Sequence, residues 1–316
     1  MRFIPISVAT LQPTDAVEWD LYLLARGEQR PHLYRASKVP FGQEDLERLQ
    51  QSGVHKLFIP NDQRDSYQSY LRETLVALGS AAQITLAAKA ARLNDIVRSV
   101  LADALSSSDT STVVQSAADC GRGVAQLIGD EQLPYGELAR VLHHDFATFT
   151  HSANVSYYAV LLAQALGFSG RDLELIAAGG LLHDLGKLDV DDRILNKDGK
   201  LTESENREVR KHPAVGFRKL CRREDVTFGQ LMMVYQHHER LDGGGYPVGV
   251  GGYGIHPWAR LCAVVDVFEA ITSYRPYRGP MSEEQALAVL DRQVDVAFDA
   301  EMVTCWKNLI RPSGES

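Results

Sequence analysis

Cysteine is scarce in this chain of 316 residues, and the four present, Cys120, Cys221, Cys262 and Cys305, form no CxxC pair. That spacing excludes a zinc knuckle and a disulfide framework, and the thiols read as reduced packing residues. Long apolar runs are lacking too: no stretch approaches the roughly 18 residues that would cross a bilayer. The opening residues, MRFIPISVATLQPTD, have neither the basic start nor the cleavage site of a secretory leader. No membrane span is expected, and the cytoplasm is the expected compartment. A basic excess is also missing. The formal net charge of -8 at pH 7 gives no footprint for long nucleic acid, although a small anionic nucleotide needs only metals and a few local Arg or Lys. With 45% hydrophobic and 23% charged residues, the composition is that of a globular protein whose disorder is confined to its ends.

The length suits one large or two modest domains. Residues 1–63 read as a small α/β module of unassigned role. Within it, Trp19–Ala25 and His32–Ser37 are strands around a GEQRP turn, FGQEDLERLQQSG is a capped helix ending at Gly53, and HKLFIP is a further strand. Residues 64–132 read as a connecting helical hairpin. An alanine-rich helix runs from Arg64 to about Leu105, and the caps in SSSDTS start a second through about Gly129. Its apolar stripe must be covered, beside the C-terminal half or by another subunit, and a homodimer through this region is expected. From 133 to 316 helical spacing recurs at 135–143, 146–166, 171–186, 203–222, 226–238, 257–274 and 282–310, without sustained strand alternation. The fold class is therefore mainly α: an all-helical bundle preceded by a small α/β module and connecting helices.

The C-terminal half is rich in metal-ligand side chains, in the order His151, His183, Asp184, His212, His237, His238 and Asp266. Imidazole nitrogen and carboxylate oxygen suit Fe, Mn, Zn, Ni or Co, and this set exceeds what one tetrahedral ion can use. His183 and Asp184 interrupt the apolar run of GGLLHDLGK, His237 and His238 end LMMVY, and Asp266 interrupts LCAVVDVFEAI. Polar groups in apolar helices need partners, and a pair of ions sharing one carboxylate supplies partners for all of them.

HDLGK followed by HHERLDGGGYP resembles the HD-GYP family, HD-domain metal-dependent phosphohydrolases many of which hydrolyse the bacterial second messenger cyclic di-GMP. The similarity runs from about residue 140 to about 305 and takes in NKDGKLTESENREVRKHPAVG and VVDVFEAITSYRPYR. An HD dipeptide has little specificity, but the GYP segment in register with the other blocks is highly specific. The resemblance implies an HD bundle and two divalent transition-metal ions, Fe or Mn first, with Ni, Co and Zn also compatible. His151, His183, Asp184 and Asp266 would hold one ion, and Asp184 would bridge to a second held by His212, His237 and His238. Some members carry a Glu one turn before the first ligand His that helps hold a third ion. Ala147 stands there in this chain, so a binuclear centre is expected. Asp145 is off that phase and is expected at the helix start, while Glu269 is expected beside the ligands rather than on an ion.

Two ions would present a bridging hydroxide to phosphorus, in line with the departing 3′ oxygen, giving linear pGpG and, by a second cut, GMP. Asp184 and Lys187 are the candidate catalytic residues, Lys187 lying one turn beyond His183, where it would reach a phosphate oxygen or protonate the leaving group. Arg275 and Arg278 follow Asp266 by about two and three helical turns, suited to clasping the phosphodiester. Gly243, Gly244 and Gly245 permit a close approach to ligand, Pro247 stiffens the exit, and Tyr246 offers a hydroxyl or a ring. Cyclic di-GMP phosphodiesterase in bacterial signalling is the expected function. The alternatives are hydrolysis of another cyclic dinucleotide, such as cyclic GMP-AMP, and a weakly active cyclic di-GMP receptor that signals to a protein partner.

Overall fold

A computed structural model describes residues 2–13, 16–25, 27–80, 84–106, 109–130, 132–142, 148–274 and 279–311. Packing divides the chain into two compact units, Met1–Val100 and Leu101–Ser316, so the segment 64–132 is shared between them. Among the described residues no helix is long and apolar enough to cross a membrane.

The first unit is built on an antiparallel sheet of β1 (Phe3–Ser7), β2 (Leu21–Leu23), β3 (His32–Arg35) and β4 (Lys56–Pro60), in the spatial order β1-β4-β2-β3. Three strands and the helix α1 (Gln43–Gln51) fall in the segments their alternation predicts. The strand β1 carried no such signal. Pro5 breaks its ladder, and a proline is accommodated here because β1 lies at the sheet edge, facing only β4 with Pro5 opposite Phe58. Helix α2 (Arg64–Ser80) is tied to this sheet module: Trp19 meets the rings of Tyr67 and Tyr70 edge-on at 5.7 and 5.3 Å, and the Tyr67 and Thr10 hydroxyls lie 2.7 Å apart. The single alanine-rich helix expected over 64–105 is instead α2 followed by α3 (Leu86–Leu105), which starts where Thr85 Oγ1 accepts from the Ala88 amide.

The second unit is helical: α4 (Thr110–Ala125), α5 (Tyr135–Val141), α6 (Thr148–Ala165), α7 (Arg171–Leu182), α8 (Asp192–Leu195), α9 (Glu203–Val209), α10 (His212–Leu220), α11 (Phe228–Gln236), α12 (Pro257–Thr272), α13 (Glu283–Asp291) and α14 (Ala300–Ile310). Caps set many of the starts. Asp109 accepts from Ser111 and Thr112, while Thr202, Thr227 and Ser282 form reciprocal boxes with Glu205, Gln230 and Gln285. The helix α6 is buried almost all round and packs on α7, α12 and α14. Tyr158, Phe268 and Trp306 join α6, α12 and α14 in one aromatic core, with ring centroids 5.2–5.8 Å apart.

Three long helices expected from periodicity are shorter, each for a local reason. The run 203–222 breaks into α9 and α10 because Pro213 sits in the first turn of α10, where its missing N–H costs nothing. The run 171–186 stops at Leu182 and turns into a 3-10 segment, Leu185–Asp189. The run 282–310 breaks into α13 and α14 around Asp295, whose φ is 59°, and Asp299 then caps α14.

Close helix contact fixes where the ligand-bearing ends fall. A Cβ on Gly180 of α7 would stand 2.8 Å from Ser156 Cα of α6. We expect Gly180→Ala to destabilise the protein by about 1–3 kcal/mol through overpacking. Gly136→Ala, at a site with nothing within 4 Å, should be neutral or stabilising by about 0.5–1 kcal/mol. Urea denaturation of the two variants measures both.

Candidate metal centre

Helix ends bring most of the polar side chains together, with Asp266 alone contributed from a helix middle. His183 closes α7, and Asp184 follows it in a bridge conformation, φ −97° and ψ 10°. This bend lets two consecutive side chains face one site, whereas regular α-helix would spread them about 100° apart. Gly186 makes the bend fit: a Cβ there would lie 1.9 Å from the His212 carbonyl oxygen, so only glycine lets the HDLGK turn rest on the start of α10. His212 opens α10, His237 ends α11, His151 lies in α6 and Asp266 in α12.

The seven side chains form two adjoining groups, each with its ligand atoms within 4.8 Å of one another: Asp184 with His212, His237 and His238, and His151 with His183 and Asp266. The carboxylate of Asp184 faces both. Its Oδ1 lies 3.2 Å from His212 Nε2 and 3.8 Å from His237 Nε2, and its Oδ2 lies 3.5 Å from His151 Nε2 and 3.4 Å from His183 Nε2. Asp266 Oδ1 stands 3.1 Å from His151 Nε2 and 3.8 Å from His183 Nε2.

Backbone contacts decide which imidazole nitrogen points inward. His183 Nδ1 donates to the Gly180 carbonyl at 2.7 Å, His212 Nδ1 to Val209 at 2.8 Å and His237 Nδ1 to Met233 at 2.8 Å. A neutral ring that donates from Nδ1 carries its lone pair on Nε2. His212 Nε2 and His237 Nε2 nevertheless lie 3.2 Å apart, lone pair to lone pair, and both face a carboxylate. Among the described residues, buried His183 Nε2 and Asp184 Oδ1 have no hydrogen-bond partner. An array in which converging acceptors outnumber the donors, Lys187 and His151, fits a cation, and His/Asp sets of this kind suit divalent transition metals.

The ionisation of the metal-free protein agrees with this donor set. Burial pushes His237 well below the usual imidazole range and His238 down to about 3, so both rings are neutral at neutral pH, the form a metal ion requires. Burial opposes the charge on Asp184, but Lys187 and His183 hold its carboxyl well below the usual range. Burial likewise opposes Asp266, which a hydrogen bond and the charge of His151 bring down. His151 differs: burial works against its charge, yet Glu269 and Asp266 raise it to about 9.

Glu269, expected beside the ligands, is 1% exposed, takes His151 Nδ1, and accepts from Asn154 Nδ2 at 3.0 Å and Ser273 Oγ at 2.6 Å. Asn154 belongs to no sequence motif, and Ser273, though inside VVDVFEAITSYRPYR, carried no sign of its partner until the helices pack. Lys187 lies on the 3-10 turn rather than on α7, with Nζ 2.5 Å from Asp184 Oδ2. Tyr246 stacks on His238, centroids 4.7 Å apart, and the Arg210 guanidinium covers the other face at 4.3 Å. Gly245 packs against backbone: a Cβ would meet Glu239 Cα at 2.5 Å. Glu239, another residue missed in the sequence, is 3% exposed and accepts from the Val248 and Gly249 amides at 2.7 and 3.0 Å, which pins the loop after His238. Arg275 and Arg278, together with Asp145 and Ala147, lie outside the described residues.

A cavity of about 530 Å³ opens beside the cluster. His151, Asp184, Lys187 and Thr148 line it together with residues of 192–209. Two outcomes are expected of the centre itself. Glu269→Gln weakens the charge behind His151 and should lower metal affinity about 10–100-fold in a chelator competition. In metal-free protein, His238 favours folding above pH 6.5 and loses that contribution as pH falls toward about 3, whereas His151 favours folding below 6.5 and loses it as pH rises through about 9. A thermal melting temperature that peaks near pH 6.5 in EDTA-treated protein would bear this out, and one that keeps rising through pH 9 would contradict it.

A family profile described as HD domain matches residues 126–302, more than half of the 316 residues. The cyclic di-GMP phosphodiesterase response regulator RpfG of Xanthomonas campestris is 38% identical over 55% of this chain and 46% of its own length. The 3′3′-cGAMP-specific phosphodiesterase 3 of Vibrio cholerae is also 38% identical, over 52% of this chain and 35% of its own. Cyclic di-GMP phosphodiesterase PA4108 of Pseudomonas aeruginosa is 33% identical over 78% of this chain and 62% of its own. The chain thus spans less than two thirds of the length of each. Among solved structures, Bd1817, an HDGYP protein from Bdellovibrio bacteriovorus, superposes with a TM-score of 0.72 over 98% of this chain and 100% of that one at 18% identity, a likeness of fold. The profile match, the relatives and the motif residues gathered in one buried cluster lead to the same place: this chain belongs to the HD-domain family, in its HD-GYP branch.

Proposed function

We propose that this protein is a metal-dependent phosphodiesterase that opens cyclic di-GMP to linear pGpG at a binuclear centre. The observation that carries the reading is Asp184, a buried carboxylate with one oxygen toward each of two ligand groups, at the mouth of a cavity sized for a nucleotide. Two divalent ions bound there would supply an activated water for in-line attack on phosphorus and positive charge for the phosphate oxygens.

The chain's own residues do the rest. His151, His183 and Asp266 would hold one ion, and His212, His237 and His238 the other, with Asp184 shared. Glu269 fixes the His151 ring, and the Gly180, Val209 and Met233 carbonyls fix the others. Lys187 lies at the Asp184 carboxylate and in the cavity wall. With an ion held by that carboxylate, the Lys187 ammonium would be placed to meet a phosphate oxygen or to hand a proton to the departing 3′ oxygen. Tyr246, held between Arg210 and His238, stands beside the second group, where its ring or hydroxyl can guide the ligand. Arg275 and Arg278 remain candidates for clasping the phosphodiester.

Cyclic GMP-AMP is the second reading, favoured by the 38% identity to a 3′3′-cGAMP-specific phosphodiesterase. Metal-loaded protein assayed with both compounds separates the two: cyclic di-GMP is expected to give the higher kcat/KM, with pGpG as the first product by chromatography. Asp184→Ala is expected to lower kcat/KM more than about a hundredfold, and turnover within a few fold of native would remove the shared carboxylate from the mechanism.

A further inference from the structure

The cavity extends beyond the ligand cluster to a wall that none of the chemistry above uses. A cyclic dinucleotide has two phosphates and two bases, and a phosphodiester placed at the ligands fills only part of about 530 Å³. The rest of its lining comes from α8, the turn that follows it and α9, contributing Asp192, Asn196, Lys197, Lys200 and Asn206 among others.

We propose that this wall receives the half of the dinucleotide that is not being cleaved, with the Asp192 carboxylate accepting from the N1–H and N2–H of guanine and Lys200 pairing with the second phosphate. This rests on the phosphodiesterase reading above.

Charge pairing within the wall singles these residues out. Lys187 is engaged with Asp184 at 2.5 Å. Lys197 is engaged with both oxygens of Glu205 at 2.9 and 2.6 Å, and Glu205 also accepts from the Thr202 amide at 2.7 Å. Among the described residues Lys200 and Asp192 have no side-chain ion pair, so each presents its charge to the cavity or to water. The wall that displays them is fixed. Asp191 caps α8 by accepting from the Arg193 amide at 2.8 Å, and Asn196 Nδ2 donates to the Asp192 carbonyl at 3.0 Å. Gly199, with φ at 126°, turns the chain so that Lys197 faces Glu205 while Lys200 stays exposed. Guanine offers two adjacent donors on its Watson–Crick edge, which match a carboxylate's two oxygens; adenine lacks the N1–H. A cation on the same wall with no ion pair of its own among the described residues suits a phosphate, whose charge it neutralises.

The test compares metal-loaded native protein with Lys200→Ala, Lys200→Arg and Asp192→Ala, each first shown to melt and to retain metal as native does. Substrates are cyclic di-GMP, cyclic di-AMP and bis(p-nitrophenyl) phosphate, which has a single phosphate and no base. Lys200→Ala should lower the kcat/KM ratio of cyclic di-GMP to bis(p-nitrophenyl) phosphate roughly tenfold, and Lys200→Arg should restore most of it. Asp192→Ala should lower the ratio of cyclic di-GMP to cyclic di-AMP roughly tenfold. A ratio within twofold of native overturns the role of the residue concerned. Turnover of bis(p-nitrophenyl) phosphate without turnover of any cyclic dinucleotide would instead count against the cyclic di-GMP reading of the site while leaving its diester chemistry in place. In that case calorimetric binding of cyclic di-GMP decides the wall: roughly tenfold weaker binding by Lys200→Ala supports it, and equal or undetectable binding by both proteins overturns it.

Discussion

The second unit is organised around one electrostatic requirement, a buried carboxylate faced by imidazole lone pairs. Asp184 lies among His151, His183, His212 and His237, with three of those rings turned lone-pair-inward by backbone carbonyls. Acceptor against acceptor in a site with little water is unfavourable unless positive charge intervenes. The metal-free protein meets part of this demand by protonating His151 between Asp266 and Glu269 and by laying Lys187 on Asp184. Divalent ions would meet all of it, and would release Lys187 for other work.

Meeting that requirement constrains the scaffold more than the choice of ligands does. Ligands on five helices converge only if those helices end at the right depth, which depends on close contacts that admit no side chain. Gly180 against Ser156 sets α7 on α6, and Gly186 against the His212 carbonyl sets the HDLGK turn on α10. Pro213 starts α10 immediately after His212. Beyond His238, the buried Glu239 holds the Val248 and Gly249 amides, so the loop carrying Tyr246 returns over the second ligand group. The aromatic core of Tyr158, Phe268 and Trp306 joins α6 and α12, the helices that carry His151 and Asp266, to α14.

The same economy of charge runs through the cavity. Most basic side chains near it are already matched, Lys187 by Asp184 and Lys197 by Glu205. The chain's negative balance is therefore no obstacle to an anionic ligand, because what a small phosphate ester senses is the local arrangement of ions and a few cations, not the net charge. The N-terminal sheet module is organised differently, around Trp19, Tyr67 and Tyr70, with no gathering of ligand-type side chains among its described residues.

Sequence by itself determined what could be written as local chemistry: ligand types interrupting apolar helices, the GYP block, the caps and the helical class of the C-terminal half. Each depends on neighbours in the chain, through hydrogen bonds and periodicity that act over a few residues. Strand β1 and the breaks in the runs 171–186, 203–222 and 282–310 were not legible, because an edge position, a proline in a first turn and a left-handed Asp295 matter only once the chain has partners. Nor did it reveal Glu239, Asn154 and Ser273, whose roles depend on groups brought in from elsewhere. Tertiary structure alone decided that one oxygen of Asp184 faces each ligand group, which imidazole nitrogen points inward, and that Gly186 must lack a side chain. Those are matters of distance between separate helices, and distance is fixed by packing.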